Sequence, residues 1–322
     1  MLIRLQLNAS EPSGALRHTG PMETTPVRAA HHEHRPVVMV FHAHPDDESS
    51  QTGGTLARYA ALGYRTVLVT CTDGSRGDAA GGHTPVDPGH DPRAVARWRA
   101  GELDRAAAIL GIADVVKLGY PDSGMSPDDA EAADGQTVFS RLPVKPLVGA
   151  AVRLMRMFRP DVVVTYPPNG LSEHPDHIRT HDIVVAAHRN IVASADWGPP
   201  EAPGPRLFYI AVPRSHLDVI RRAAHAALGP EAWVPPDSLA VDDASITTVI
   251  DVADFWDQKL RALSAHASQR DAAGLATVFS SITASEFGGR AEHYVRIYPA
   301  PEVVSAGLVD DDLFPGQGHD SN

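Results

Sequence analysis

The stretch VVMVFHAHPDDE, residues 37–48, joins an unbroken apolar run directly to a dense polar cluster. Its first five residues, 37–41, are typical of a strand that is buried on both faces of a parallel sheet. Similar apolar runs occur at residues 66–70 and 161–165, with weaker ones at residues 115–118 and 207–212. These runs predict several strands of one buried, parallel sheet.

Between these runs, apolar residues recur at the spacing of helices. One helix is predicted to begin after Asp91-Pro92 and to end at Gly111, a second has its apolar stripe at residues 147–158, and a third covers about residues 254–267. Strands that alternate with helices predict an α/β fold, namely a Rossmann-like, mostly parallel sheet with helices on both faces. In such sheets the active site forms at the carboxyl ends of the strands.

The distribution of these patterns predicts one folded domain between two tails. Residues 1–34 mix Pro, Gly, Thr and His without a sustained period, which is typical of a flexible tail. Residues 301–322 are acidic and interrupted by Gly and Pro, so they are expected to form a loose end. The domain itself is expected at residues 35–300.

The composition argues against several classes of protein. The 322 residues include 28 Lys and Arg against 40 Asp and Glu, and the resulting net charge of −12 disfavours nucleic-acid binders and proteins of anionic membrane surfaces. A single cysteine, Cys71, excludes an intramolecular disulfide and a cysteine-rich zinc site. Because no apolar run is long enough to cross a membrane and no signal-peptide pattern is present, we expect a cytoplasmic protein with a small-molecule partner.

The polar cluster after the first strand predicts a metal site. Two histidines and three consecutive acids lie within residues 42–48, and a divalent cation relieves the repulsion among such crowded carboxylates. His44 and Asp47 are three residues apart, so the first turn of a helix places both on one side of a single ion. Asp46 is left free beside that ion. Helix capping by the acids is the alternative, but it does not account for His44.

A second cluster, HPDH at residues 174–177, follows the run at residues 161–165. One histidine of this cluster would complete a set of two histidines and one aspartate, which is the pattern of catalytic zinc sites with open positions for water. The same set also suits the facial triad of non-haem iron enzymes. The GxGxxG, GxxxxGK[ST], GxSxG and HExxH motifs are absent, which disfavours nucleotide-dependent, serine-hydrolase and zincin chemistry.

The pair AHPDDE (residues 43–48) and HPDH resembles the LmbE-like, PIG-L-type family of zinc N-deacetylases. The resemblance extends over about residues 36–300 and includes TDGSRGD at residues 72–78, DSGM at residues 122–125 and HASQ at residues 266–269. HPDDESS and DSGM are most similar to actinobacterial members of mycothiol metabolism. Those members are a deacetylase of N-acetylglucosaminyl-inositol and an amidase of mycothiol S-conjugates.

This resemblance implies a role for each residue of the two clusters. His44, Asp47 and His177 correspond to the ligands of one zinc ion per chain, with Fe²⁺ as the alternative metal. Asp46 corresponds to the general base, and His174 to the histidine that assists the tetrahedral intermediate. The implied activity is a metal-dependent amidohydrolase that removes an acetyl or related acyl group from an amino-sugar conjugate. A mycothiol S-conjugate amidase, a deacetylase of secondary-metabolite glycosides and a non-catalytic metal- or sugar-binding module are the alternatives.

Two residues at neighbouring strand ends are candidates for contact with the substrate. Arg76 is expected either to hold a phosphate, inositol or carboxylate group or to form a structural ion pair, and Asp122 is expected to bind sugar hydroxyls. Ser172 departs from the mycothiol enzymes, which usually carry at this position a tyrosine that polarises the scissile carbonyl. Tyr166 lies nearby at the end of a strand, where the sequence predicts a core residue.

Overall fold

A seven-stranded sheet forms the centre of the molecule. The structure is a computed structural model that describes residues 35–79, 82–125, 135–194, 197, 204–232, 234–300 and 309–314. The strands are β1 (Val37–His42), β2 (Arg65–Thr72), β3 (Asp114–Tyr120), β4 (Val162–Thr165), β5 (Arg206–Ala211), β6 (Thr248–Asp251) and β7 (Ala291–Tyr298). The helices are α1 (Asp47–Gln51), α2 (Gly53–Ala61), α3 (Pro92–Leu110), α4 (Val144–Phe158), α5 (Pro175–Val192), α6 (Arg214–Leu228), α7 (Trp256–Ser264) and α8 (Arg270–Ser281).

The strand order is β3-β2-β1-β4-β5-β7-β6. The first five strands in this order run parallel to one another, whereas β7 pairs antiparallel with both β5 and β6. The chain leaves β1 toward β2 on one side and later returns to place β4 on the other side. This reversal is the switch point at which doubly wound folds bind ligands. The predicted Rossmann-like, mostly parallel sheet is therefore confirmed.

Two apolar layers cover the sheet, because successive side chains of a strand point to opposite faces. Val38 and Val40 of β1 pack with Leu56 of α2 and Leu103 of α3 on one face. The other face of β1 packs against α4 and α5 through Val37, Met39, Phe41, Leu147, Leu154, Ile183 and Val184. All six residues of β1 are buried, as the unbroken apolar run predicts.

The predicted helix bounds hold where end signals are present. Asp91 caps α3 by accepting a hydrogen bond from the amide of Arg93 at 3.0 Å, and Gly111 ends this helix with a φ of 72°. The helix predicted at about residues 254–267 is shorter, since α7 ends at Ser264. Beyond its end, His266 contacts Glu48 of α1 and so belongs to the surroundings of the site described below.

The antiparallel edge of the sheet holds the amino end of α2 in place. Glu292 of β7 accepts hydrogen bonds from the amides of Gly54 at 3.0 Å and Thr55 at 2.8 Å. Its carboxylate also forms a buried ion pair with Lys259 of α7, at 2.5 Å. A single carboxylate of the last strand thus satisfies two amides that a helix start leaves without partners.

The expectation of a loose segment from residue 301 onward is wrong for residues 309–314. Leu313 and Phe314 are buried, and the ring of Phe314 contacts those of Tyr59 and Tyr64. The amide of Leu313 donates to the Tyr59 hydroxyl at 2.8 Å. Leu313 and Phe314, two apolar residues among acids, anchor this segment because they pack against the domain.

The predicted tail at residues 1–34 lies outside the described residues, and the domain bounds stay a prediction. Among the residues that the structure describes, no helix is both long and apolar enough to cross a membrane.

Candidate metal centre and active site

The two histidine clusters meet at the switch point between β1 and β4. The first follows β1 and leads into α1, and the second follows β4 and begins α5. Because β1 and β4 are parallel neighbours, their carboxyl ends lie at the same edge of the sheet. This arrangement brings residues together that are more than a hundred positions apart in the sequence, as with His44 and His177.

The three predicted metal ligands, His44, Asp47 and His177, form a triangle. His44 Nδ1 lies 3.2 Å from His177 Nε2, and Asp47 Oδ2 lies 3.5 Å from each of these nitrogens. Ligands about 2.0–2.1 Å from a tetrahedral zinc ion are about 3.3–3.4 Å apart, so these spacings fit such an ion. His44, His174 and His177 also lie close enough together to form a candidate metal-binding group of three histidines.

The ring of His177 is oriented by a backbone carbonyl. Its Nδ1 lies 3.0 Å from the oxygen of Gly170, and a proton on Nδ1 leaves the lone pair of Nε2 toward the triangle. Gly170 has a φ of 65°, and a Cβ at this position would lie 2.7 Å from the Cβ of His177. Only glycine therefore allows the loop to approach this histidine so closely.

The ring of His44 is oriented by carboxylates. Its Nε2 lies 3.3 Å from Asp176 Oδ2 and 3.6 Å from Asp122 Oδ1, which leaves Nδ1 for a metal. Burial lowers the pKa of His44, but Asp122, Asp176 and Asp47 outweigh burial and raise it well above its usual value. These carboxylates favour a positive charge at this point, which a divalent cation supplies.

Hydrogen bonds hold both carboxylate oxygens of Asp47. Oδ2 accepts from the His44 amide at 2.8 Å and from the Tyr166 hydroxyl at 2.7 Å, while Oδ1 accepts from Gln51 Nε2 at 2.8 Å. Tyr166 is buried as predicted, but interpreting it as a core residue alone misses this bond. Burial, reinforced by Asp47, raises the pKa of Tyr166 well above its usual value, so the hydroxyl keeps its proton.

Asp46 lies beside the triangle and points elsewhere, as the sequence predicts. Arg99 of α3 donates from Nη2 to Asp46 Oδ2 at 2.9 Å, and the same nitrogen donates to the carbonyl of Pro45. Burial raises the pKa of Asp46 to about 6, although Arg99 opposes that rise. Asp46 also has a φ of 131°, and such strain in a non-glycine residue is typical of functional sites.

His174 is positioned as a hydrogen-bond donor. Its Nδ1 accepts from the amide of Asp176 at 3.1 Å and thereby caps α5, so a neutral ring carries its proton on Nε2. Burial, followed by the charges of His44 and His177, lowers the pKa of His174 to about 2. The ring is therefore neutral and has one N–H to donate.

The candidate substrate residues lie at the neighbouring strand ends. Asp122 is buried, accepts from the amides of Arg76 at 3.2 Å and Gly124 at 2.8 Å, and faces His44. Asp122 thus helps to orient His44, a role that the sequence did not predict. Its contact with sugar hydroxyls stays a prediction. The side chain of Arg76 is half-buried and lies over Gly124, where a Cβ would be 3.0 Å from Arg76 Cδ.

Sequence reasoning missed several residues that support the site. Arg99 is one of them, although an arginine on the helix face that also carries Val95, Leu103 and Ala106 was a signal of a buried partner. Asp176 is a second, since its oxygens accept from the amide of Ser123 at 2.9 Å and contact His44. A third is the buried pair of His266 and Glu48, which are 2.7 Å apart. Glu48 in turn accepts from the amide of Asp46 at 3.0 Å.

The arrangement combines three chemical capabilities in one place. Two imidazole nitrogens and one carboxylate oxygen can hold a divalent cation, and a separate carboxylate can accept a proton beside it. A neutral imidazole N–H can stabilise a developing negative charge. Together these groups suit the attack of water on a carbonyl carbon.

Comparison with known proteins agrees with this chemistry. The profile of the GlcNAc-PI de-N-acetylase (PIG-L) family matches residues 39–188, which contain both histidine clusters. A relative from Frankia alni, named 1D-myo-inositol 2-acetamido-2-deoxy-alpha-D-glucopyranoside deacetylase 1, is 37% identical over 294 residues. The match covers 86% of this chain and 99% of the relative.

Solved structures share the fold at lower sequence identity. The N,N'-diacetylchitobiose deacetylase of Pyrococcus horikoshii has a TM-score of 0.55 and 19% identity, over 83% of this chain and 87% of that one. The 4-carboxy-2-hydroxymuconate hydratase GalB of Pseudomonas putida also has a TM-score of 0.55, with 20% identity, over 83% of this chain and 98% of that one. Because a deacetylase and a hydratase share this fold, the fold alone does not determine the reaction.

Proposed function

The chain belongs to the PIG-L family of de-N-acetylases, and from that membership we propose that it hydrolyses the acetamide of an N-acetylglucosaminyl-inositol conjugate. The observation that carries the proposal is the His44, Asp47 and His177 triangle, with spacings that suit zinc and with Asp46 beside it. We propose zinc, one ion per chain, as the metal of this triangle. The net charge of −12 supports a small-molecule substrate rather than a nucleic acid, and a cytoplasmic location stays a prediction.

The proposed mechanism divides the work among residues of the two clusters. The chemistry supplied by zinc in such a site is polarisation of a carbonyl and a lowered pKa of water, to about 7. Asp46 accepts a proton from the attacking water and later gives it to the leaving amine. His174 donates its Nε2 proton in a hydrogen bond to the oxygen that becomes negatively charged.

A direct experiment tests this function. Purified protein is analysed for metal content and then assayed for acetate release from a panel of N-acetylamino sugars that includes N-acetylglucosaminyl-inositol. We expect bound zinc and acetate release that is fastest with the inositol conjugate. Zinc-loaded protein that releases no acetate from any member of the panel would refute the deacetylase proposal and favour a binding module.

The pH profile is expected to respond to Arg99. Arg99→Met should move the acid limb of kcat/KM to higher pH by about 1–3 units, because an adjacent arginine lowers the pKa of a carboxylate by that amount. Asp46 acts as a base only when it is deprotonated. If its pKa rises, it becomes protonated at a higher pH as the pH is lowered, and activity is lost there. Arg99→Lys, which keeps the charge, should show a smaller shift.

The control for this experiment is Arg97→Met, since Arg97 is exposed on the same helix. Its profile should match that of the unchanged protein. An acid limb that does not move in Arg99→Met would show that Asp46 is not the group whose titration limits activity.

Ser172 is expected to influence which substrates the enzyme accepts. Serine leaves free the space that a tyrosine would fill, so Ser172→Tyr should narrow the substrate range and favour small N-acetyl sugars over bulky conjugates. The measurement is the ratio of kcat/KM for one small and one bulky amide in both proteins. An unchanged ratio would show that residue 172 does not face the substrate.

If the unchanged protein itself prefers bulky amides, that result would favour the alternative function, a mycothiol S-conjugate amidase.

A further inference from the structure

Tyr166 occupies a buried position between two of the proposed metal ligands. It directly follows β4, and its side chain is 0% exposed. Its ring stacks on that of His177, with the ring centres 4.3 Å apart and the planes at 21°. Its hydroxyl reaches the carboxylate of Asp47. One side chain therefore contacts a ligand from each histidine cluster.

The hydrogen bonds of the hydroxyl fix the direction of its proton. The amide of Ala43 donates to the Tyr166 oxygen at 2.8 Å, so this oxygen acts there as an acceptor. The single O–H proton is then directed to Asp47 Oδ2, at 2.7 Å. His42 Nδ1 lies 3.3 Å from the same oxygen, a longer contact than the 2.7 Å to Asp47, so Asp47 is the nearer acceptor. The hydroxyl has no freedom to turn toward solvent or toward a substrate.

The oxygen that receives this proton is the one that completes the ligand triangle. Asp47 Oδ2 lies 3.5 Å from both imidazole nitrogens, and a rotation of the carboxylate would break both spacings. Gln51 holds the other oxygen, but Gln51 is only partly buried and lies on the same short helix. Tyr166 directly follows β4 and thus ties the carboxylate to the end of a central strand.

We propose that Tyr166 is a positioning residue that sets the metal affinity of the His44, Asp47 and His177 triangle. Its hydroxyl holds the carboxylate of Asp47 in the orientation of a ligand, and its ring holds the imidazole of His177. The inference rests on the proposed ligand set. It also assigns Tyr166 a different task from that of the tyrosine missing at Ser172, because the Tyr166 hydroxyl faces a ligand and not the substrate.

The test is Tyr166→Phe, which removes the hydroxyl and keeps the stacked ring. We expect the Kd for zinc, measured by competition with a chromophoric chelator, to rise by about 10–100-fold, as is typical when a hydrogen-bond partner of a metal ligand is lost. Tyr294→Phe is the matched control. Tyr294 is equally buried, but its hydroxyl bonds Thr55 at 2.7 Å, away from the triangle, so its Kd for zinc should not change.

The outcomes separate this proposal from the proposed function. If Tyr166→Phe binds zinc as tightly as the unchanged protein while His44→Ala loses zinc, the role of Tyr166 is refuted and the ligand set stands. If His44→Ala keeps zinc, the ligand set itself is wrong. An equal weakening in Tyr166→Phe and Tyr294→Phe would indicate a general loss of stability and would also refute the proposal.

A second measurement uses the unchanged protein and so does not depend on the folding of a variant. The protein is labelled with ¹³C at the Cζ atoms of its seven tyrosines and titrated with zinc. The Tyr166 signal, assigned through its contacts with the His177 ring, is expected to shift, and the Tyr294 signal is expected to stay. A Tyr166 signal that does not respond to zinc would overturn the proposal.

Discussion

Asp46→Asn is expected to lower kcat by about 10²–10⁴-fold while the protein keeps its zinc. Asparagine has nearly the shape of aspartate, but its amide cannot accept a proton from water. Asp46 is not part of the ligand triangle, and its side chain bonds Arg99 instead, so the metal should remain. The measurements are kcat with N-acetylglucosaminyl-inositol and the zinc content of the same preparation.

The control for the base is Asp104→Asn. Asp104 is an exposed carboxylate of α3 that pairs with Lys117, and its replacement should leave kcat unchanged. Normal turnover by zinc-loaded Asp46→Asn would remove Asp46 from the mechanism. Glu48, whose carboxylate contacts the Asp46 amide and His266, would then be the next acid to examine.

His44→Ala is expected to abolish both stoichiometric zinc binding and activity. The change deletes one corner of the triangle, and the remaining Asp47 and His177 do not form a three-ligand zinc site. A second readout is thermal unfolding, because a ligand that binds only the folded state stabilises it by about 2.7 kcal/mol at one hundred times its Kd. Zinc should therefore raise the Tm of the unchanged protein and leave that of His44→Ala where it was.

His188→Ala is the matched control for the loss of a buried histidine. His188 lies on α5, eleven residues or about 16 Å along the helix from His177, and its Nε2 contacts the carbonyl of Pro205. This variant should unfold at a lower temperature than the unchanged protein, but zinc should still raise its Tm. A His44→Ala protein that retains tightly bound zinc would show that other residues hold the metal.

The parallel half of the fold was predictable because its strands are buried on both faces. The apolar runs at residues 37–41, 66–70 and 161–165 correspond to β1, β2 and β4. The antiparallel edge was not predicted, since β6, unlike the equally short β4, is only partly buried, and β7 has few fully buried residues. Half-exposed strands form mainly because they pair with a neighbouring strand, and their own sequences carry only a weak signal of that pairing.

The two histidine clusters and their approach to each other were predictable, whereas most of the residues that support them were not. His44, Asp46 and Asp47 lie within four consecutive residues, so one turn of chain defines their arrangement. The contact of Asp46 with Arg99 joins residues 53 positions apart, and that of His44 with Asp176 joins residues 132 apart. Such contacts depend on how helices are placed against the sheet, and periodicity alone carries no information about that placement.

The bonds from Glu292 to the start of α2 have a consequence for the order of events during synthesis. The ribosome makes Gly54 and Thr55 long before it makes Glu292, which follows Gly54 by 238 residues. A growing chain that already contains both histidine clusters still lacks the acceptor for these two amides. The start of α2, which follows the first histidine cluster, can gain these two hydrogen bonds only after the last strand has been made. The amino end of α2 therefore depends on the carboxyl-terminal part of the domain, and a chain that stops before β7 is expected to hold this helix less firmly.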